Sequence, residues 1–513
     1  MHMSVLAGRW GWFWGGGVAL ILCATEVTAQ PSGVPLIEAV RERRADVVDQ
    51  LLVGADVNTP TADGTTALHW AVFHDAPEMT ERLLGAGADA AQANELGVTP
   101  LALACENANA DLVTRLLQAG ADPSASVETG ETVLMGCART GNDEAVRALI
   151  AAGAAVNARE SHENQTALMW AAARGYVEVV RRLLRHGADV RARSKVRRQV
   201  ISRRLQSELR YGELGRRYGT DAEETQVGGF TPLLFAARQG HVAVARLLLD
   251  AGADVNDRAP DGSSALVVTT HGGHRALTKF LLSRGANTNT ATAGYTALHA
   301  AVLTGDLEMV EALLAHGARP NAQVTLATRV TRNGQVLMLG EHLLGATPLA
   351  LAAKFTESDI LRTLLVAGGD VHLPLKNGWT PLMLATGASW RYAVWDRRDR
   401  AVAKAPAFQA QMYDEAGTLE AVRILLDEGA ELNLRDDDGN TALHFLVDKG
   451  FDDVVRLLVD RGADLGLTNR RGDTPLAIVE RGRTGNIEAS VATVALLRSL
   501  PIGENNPASN RSR

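Results

Sequence analysis

The side chains of this chain that could ligate or catalyse are 13 histidines, three cysteines and 59 carboxylates, and their spacing limits what they can do. His271-Gly272-Gly273-His274 sets two imidazoles three residues apart. A zinc site would need a thiolate, carboxylate or third histidine beside them, and none is adjacent. Glu341 and His342 form an acid–base dyad in an irregular stretch, so a hydrolase assembled on the surface is the rival reading to a purely binding protein. Cys105 and Cys137 lie 32 residues apart. The chain has no glycine-rich phosphate loop, nucleophile elbow, zinc-protease helix motif or dinucleotide fingerprint, so no cofactor and no metal are expected. Binding chemistry is denser. Trp390, Arg391, Tyr392, Trp395, Arg397 and Arg398 interleave aromatic rings with guanidinium groups, as interface hot spots do. Arg197, Arg198, Arg203 and Arg204 form a second, basic cluster suited to an acidic partner or an anionic lipid surface.

The elements that must carry these groups follow a period. Gly-Ala-Asp or a near variant recurs with its glycine at 54, 87, 120, 153, 187, 252, 285, 317, 368, 429 and 462. Seven of the ten intervals lie within one residue of 33, and the others exceed one period by 32, 18 and 28 residues. Each unit reads as helix, turn, helix, hairpin. In one, Thr231 caps a helix, Pro232 occupies its first turn and Gly240 stops it. Val244, Leu247 and Leu248 then give a second apolar face before Gly252. A lone unit cannot cover both faces, so the units must stack.

On these residues the chain resembles the ankyrin-repeat family, whose 33-residue unit opens with Thr-Pro-Leu-His-x-Ala, in an exported, bacterial-type form. The matching openings include Thr99-Pro100, Thr231-Pro232, Thr347-Pro348, Thr380-Pro381 and Thr474-Pro475, with His69, His299 and His444 at the fourth place of three others. The resemblance implies an all-α-type repeat solenoid of about twelve units. It also implies that those histidines bond backbone rather than metal, and that hairpins and first helices form the protein-binding face. Trp70, Trp170, Phe235 and Phe445 recur at one phase and read as packing between repeats. Cys105 and Cys137 fall on small positions of adjacent first helices and are expected as two buried free thiols.

Three interruptions break the period. Residues 194–227 follow repeats one to five and an N-terminal cap (30–193), and Val196, Val200, Leu205 and Leu209 there suggest a basic amphipathic helix. Residues 323–343 follow repeats six to eight (228–322), and Asn333-Gly334 predicts a β-hairpin. Residues 390–415 hold the aromatic cluster within repeats nine to twelve (344–498), which end in a cap, and 499–513 reads as a disordered tail.

Trp10–Ala24 carries no charge but is shorter than a bilayer-spanning helix. Small residues at 27–29 then complete a secretory signal over residues 1–29, with an uncleaved anchor as the alternative. The periplasm or the medium is therefore the expected compartment. A net charge of −7 argues against nucleic acid. The reading is a monomeric, non-catalytic scaffold for an unidentified protein partner, with a hydrolase or an anionic-membrane adaptor as alternatives.

Overall fold

A computed structural model describes residues 35–202, 222–332, 335–388, 415–447, 449–481 and 487–500. Among these residues 24 α-helices form twelve consecutive pairs, from Pro35–Arg41 with Ala45–Leu51 to Pro475–Glu480 with Ile487–Ser499. The chain divides into two compact units, Met1–Asp261 and Gly262–Arg513, with six pairs in each.

The motif residues start the helices by supplying partners for their unpaired N–H groups. The Thr99, Thr231, Thr347, Thr380 and Thr474 hydroxyls each accept the backbone N–H three residues on, with proline in the first turn. Such a cap stabilises a helix by about 1 kcal/mol. Where histidine stands at the third helical position, the cap becomes reciprocal. His69 Nδ1 accepts the Thr66 N–H at 3.2 Å, and its Nε2 lies 3.0 Å from the Val98 carbonyl of the next repeat. His299 and His444 repeat this arrangement, reaching the Ala346 and Asp473 carbonyls at 3.2 Å each. Burial favours the neutral ring that both bonds require: it holds all three imidazoles below the usual histidine value, His299 at about 4.

Small residues let successive first helices approach closely. Ala71, Ala104, Ala138, Ala171, Ala236 and Ala301 are all fully buried. Asparagines join successive hairpins. The Asn58, Asn157, Asn289, Asn321 and Asn433 amides donate to the carbonyls of Gly87, Gly187, Gly317, Gly368 and Gly462, at 2.8–3.2 Å.

Two expectations fail here. Cys105 and Cys137 are joined in a disulfide, with Cα atoms 4.6 Å apart, rather than standing as free thiols. Helix axes about 9 Å apart, less two Cα radii of about 2.3 Å, leave roughly 4.4 Å between facing Cα atoms, which is bridging distance. The error lay in equating axis separation with Cα separation. The basic insertion, moreover, begins as a strand instead of an amphipathic helix. Strand β1 (Val196–Ser202) pairs antiparallel with β2 (Ala222–Gly228) in the register Val196↔Gly228 to Ser202↔Ala222. The insertion leaves the repeat through its hairpin, where Ser194 N donates to Phe230 O at 3.0 Å, so its two ends are already paired when they emerge. Val196, Val200 and Ile201 suit that ladder. In the second interruption β3 (Thr328–Arg332) pairs with β4 (Gln335–Leu339) on either side of Asn333-Gly334, as the turn signal predicts. The third interruption separates the helices Pro381–Ala385 and Glu415–Asp427 of one pair.

Candidate protein-binding face

Two phases of the repeat place side chains where a hairpin meets the first helices: the residue just before each capping threonine and the fourth residue after it. Both carry aromatic rings in several repeats. Phe230 and Phe235 meet edge to face with centroids 5.6 Å apart, and Trp379 meets Phe445 at 6.1 Å. The Trp379 indole N–H donates to Asp436 at 3.1 Å. Trp170, Phe230, Phe235, Trp379 and Phe445 are only half-buried. The packing between repeats expected at this phase is seen at the buried Trp70, at Phe445 against Trp379 and at Trp170 under Arg139, and the rings other than Trp70 stay partly exposed.

Charge joins the face at the seventh residue after the cap. Arg41 stacks over Trp70 of the next repeat at 4.8 Å, and Arg139 stacks over Trp170 at 5.5 Å, contacts that attract through the ring quadrupole. Arg139 also ion-pairs with Glu106 of the preceding repeat and lies 3.7 Å from Glu131 on its own hairpin. Burial pushes both carboxyls up, with Arg139 opposing the shift. At Glu131 the negative charges of Glu106 and Glu160 add to it. Glu106, Glu131 and Gly136 line a shallow, solvent-open indentation of about 10 Å³, room for about one water.

The sequence-predicted residues are distributed differently. Arg197 sits on β1, ion-paired with Glu163 and donating to the His162 carbonyl at 3.3 Å; Arg198 follows it and is exposed. Arg203, Arg204, Trp390, Arg391, Tyr392, Trp395, Arg397 and Arg398 lie outside the described residues. Glu341 and His342 belong to a short 3₁₀ turn. Burial, then the Lys354 charge, lowers His342 to about 4, and its ring faces Trp379 at 6.2 Å. His271 is buried with its ring 6.5 Å from Tyr295, while His274 opens the following helix. Among the described residues no three histidine, cysteine or carboxylate side chains are grouped to hold a metal.

The trio Glu106, Glu131 and Arg139 was missed by sequence reasoning. Its signal was available: Glu106 and Arg139 lie one period apart at the same phase, with opposite charge.

The architecture is that of a helical repeat solenoid in each unit, and comparison identifies the repeat. The profile described as "Ankyrin repeats (3 copies)" matches residues 36–127, 111–194, 233–324 and 409–488, more than half of the sequence. The chain belongs to the ankyrin-repeat family. Among curated proteins it is 32% identical over 158 residues to the Danio rerio protein named "Putative palmitoyltransferase ZDHHC13", covering 29% of this chain and 21% of that one. It is 46% identical over 54 residues to the ankyrin repeat domain-containing protein SAT10 of Stachybotrys chartarum, covering 10% of this chain and 3% of that protein. The chain thus spans about a fifth or less of these relatives. Among solved structures, the human ASB11 ankyrin repeat domain aligns with a TM-score of 0.38 at 26% identity, over 50% of this chain and 99% of that one.

Proposed function

We propose that this chain is an exported, non-catalytic scaffold that binds a protein partner through the face formed by its hairpins and first helices. The observation carrying this reading is the recurrence, within each unit, of half-buried aromatic rings at fixed phases where hairpins meet first helices. Such rings offer much contact area for little lost side-chain entropy. Export is supported by the leader-like start of the chain and by the Cys105–Cys137 disulfide, because such bonds persist in oxidising compartments. The non-catalytic part is supported by the repeat family the chain belongs to and by His69, His299 and His444, whose rings are tied to backbone of the next repeat.

Photocrosslinking in the producing cells tests both parts. A photoreactive residue at Phe235 or Trp170 is expected to trap one discrete protein, whereas at Val366, 91% exposed on a second helix, it traps none. Equal trapping at both places, or none at either, would count against the face. Recovery of the chain only from the cytoplasm, with thiols reduced, would refute export.

A further inference from the structure

We propose that the first unit associates with a second copy of this chain, through the tips of its hairpins, in a two-fold and salt-sensitive dimer. The tips form a continuous row. The backbone N–H groups of Glu95, Glu128, Ser161 and Lys195 donate to the Asp63, Leu96, Thr129 and Glu163 carbonyls of the preceding hairpins, at 2.6–3.5 Å. Each tip is thereby fixed against the next, and the ribbon of β1 and β2 rises from the last of them.

The row reverses its charge along its length. The first three hairpins (54–66, 87–99 and 120–132) carry seven carboxylates and no base. The fifth hairpin with the start of β1 (187–198) carries five bases and one acid. Asp63, Glu95 and Glu128 are exposed at the acidic end, and Lys195 and Arg198 at the basic end. Arg193 and Arg197 are engaged within the chain by Asp257 and Glu163, so residues 195 and 198 set the outward sign there.

Opposite charges held apart on one fixed row match the same row turned end for end. A uniformly acidic or basic partner would gain at one end and be repelled at the other. A two-fold axis crossing the row between the ends lays the acidic tips of each copy on the ribbon base of the other. Both contacts are then identical, and the association closes at two copies. Exposed charges alone contribute little, so apolar contact must accompany them. It is available at both ends. Leu96, on an acidic tip, is 39% exposed, while Val196 and Val227, at the ribbon base, are 45% and 38% exposed. The axis that pairs the charges brings Leu96 of one copy to the valines of the other. The monomer expected from the sequence then holds only where salt screens the row.

Sedimentation velocity of the purified full-length chain, in about 20 mM and about 300 mM sodium chloride, tests the dimer. Twice the monomer mass is expected at low salt, with dissociation about tenfold or more easier at high salt. Two variants each reverse one end: Glu95→Lys with Glu128→Lys, and Lys195→Glu with Arg198→Glu, both checked by circular dichroism. Either alone should be monomeric at low salt, because its two contacts then oppose like charges. Mixed in equal amounts, the two should form a dimer again, since the reversed tips of one meet the reversed ribbon of the other and the untouched ends still match. That recovery also shows that neither variant has lost its fold. A monomer at low salt, a dimer that either variant leaves intact, a mixture that stays monomeric, or a mass that grows past two copies would each overturn the proposal. The partner-binding face of aromatic rings stands or falls separately, by photocrosslinking.

Discussion

Repeats one and two, compared with repeats four and five, place the same contact in two surroundings. Arg41 over Trp70 and Arg139 over Trp170 occupy identical phases. Around the first pair the chain builds a closed aromatic patch: Trp70 is 8% exposed, with Phe73 and His74 rings at 5.6 and 5.7 Å. Around the second it places two carboxylates and a glycine, and the indole stays half-buried. One scaffold position thus serves packing in one place and presents charge in another. What decides between them is the residue that the neighbouring repeat supplies.

Removing the disulfide should separate the two regions most. For cysteines 32 residues apart, Cys105→Ala with Cys137→Ala should cost about 3–4 kcal/mol on the chain-entropy argument. In a stack coupled only through neighbours, amide exchange should quicken over residues 100–106 and 133–140 and stay unchanged over 35–41. A uniform acceleration would break the comparison. Next in size, Arg139→Ala strands two partly buried carboxylates and should cost about 2–3 kcal/mol in urea unfolding, against about 1 kcal/mol for Arg41→Ala. Equal costs would mean that the carboxylates add nothing.

Acidification sharpens the same contrast. Glu106 and Glu131 have carboxyls raised in the folded state, so between the ordinary value of 4.5 and the raised one the native chain binds more protons than the unfolded chain. Their burden on stability is therefore present above that window and is relieved as pH falls through it. With Arg139 gone the carboxyls rise further. The Arg139→Ala penalty should shrink by about 1 kcal/mol between pH 7 and pH 4.5, while that of Arg41→Ala stays constant. Smallest, Gly136→Ala should stabilise by about 0.5–1 kcal/mol, since alanine suits a helix interior and the added Cβ meets only ordinary contacts.

The repeat itself was legible because threonine, proline, histidine and glycine return in phase, each with a local reason to start or stop a helix. The beginning of the basic insertion was not. Val196 and Val200 fit a helical face as well as a strand, and their pairing partners lie more than 20 residues further on. The disulfide was misjudged through a distance, not through a missing signal. The charged trio was hidden for another reason: Glu106 and Arg139 meet only when repeats are superimposed, and Gly136 matters as an absent side chain. The aromatic segment 390–415 stays an expectation from sequence.

The asparagine ties between hairpins have a practical consequence. The tie from Asn289 to Gly317 closes over 28 residues at 2.8 Å, and that from Asn321 to Gly368 closes over 47 at 2.9 Å. The same clasp fastens whether or not a β-ribbon has been threaded through it. Hairpin tips are therefore natural splice points, where foreign peptides could be carried as cargo without the backbone on either side registering their length.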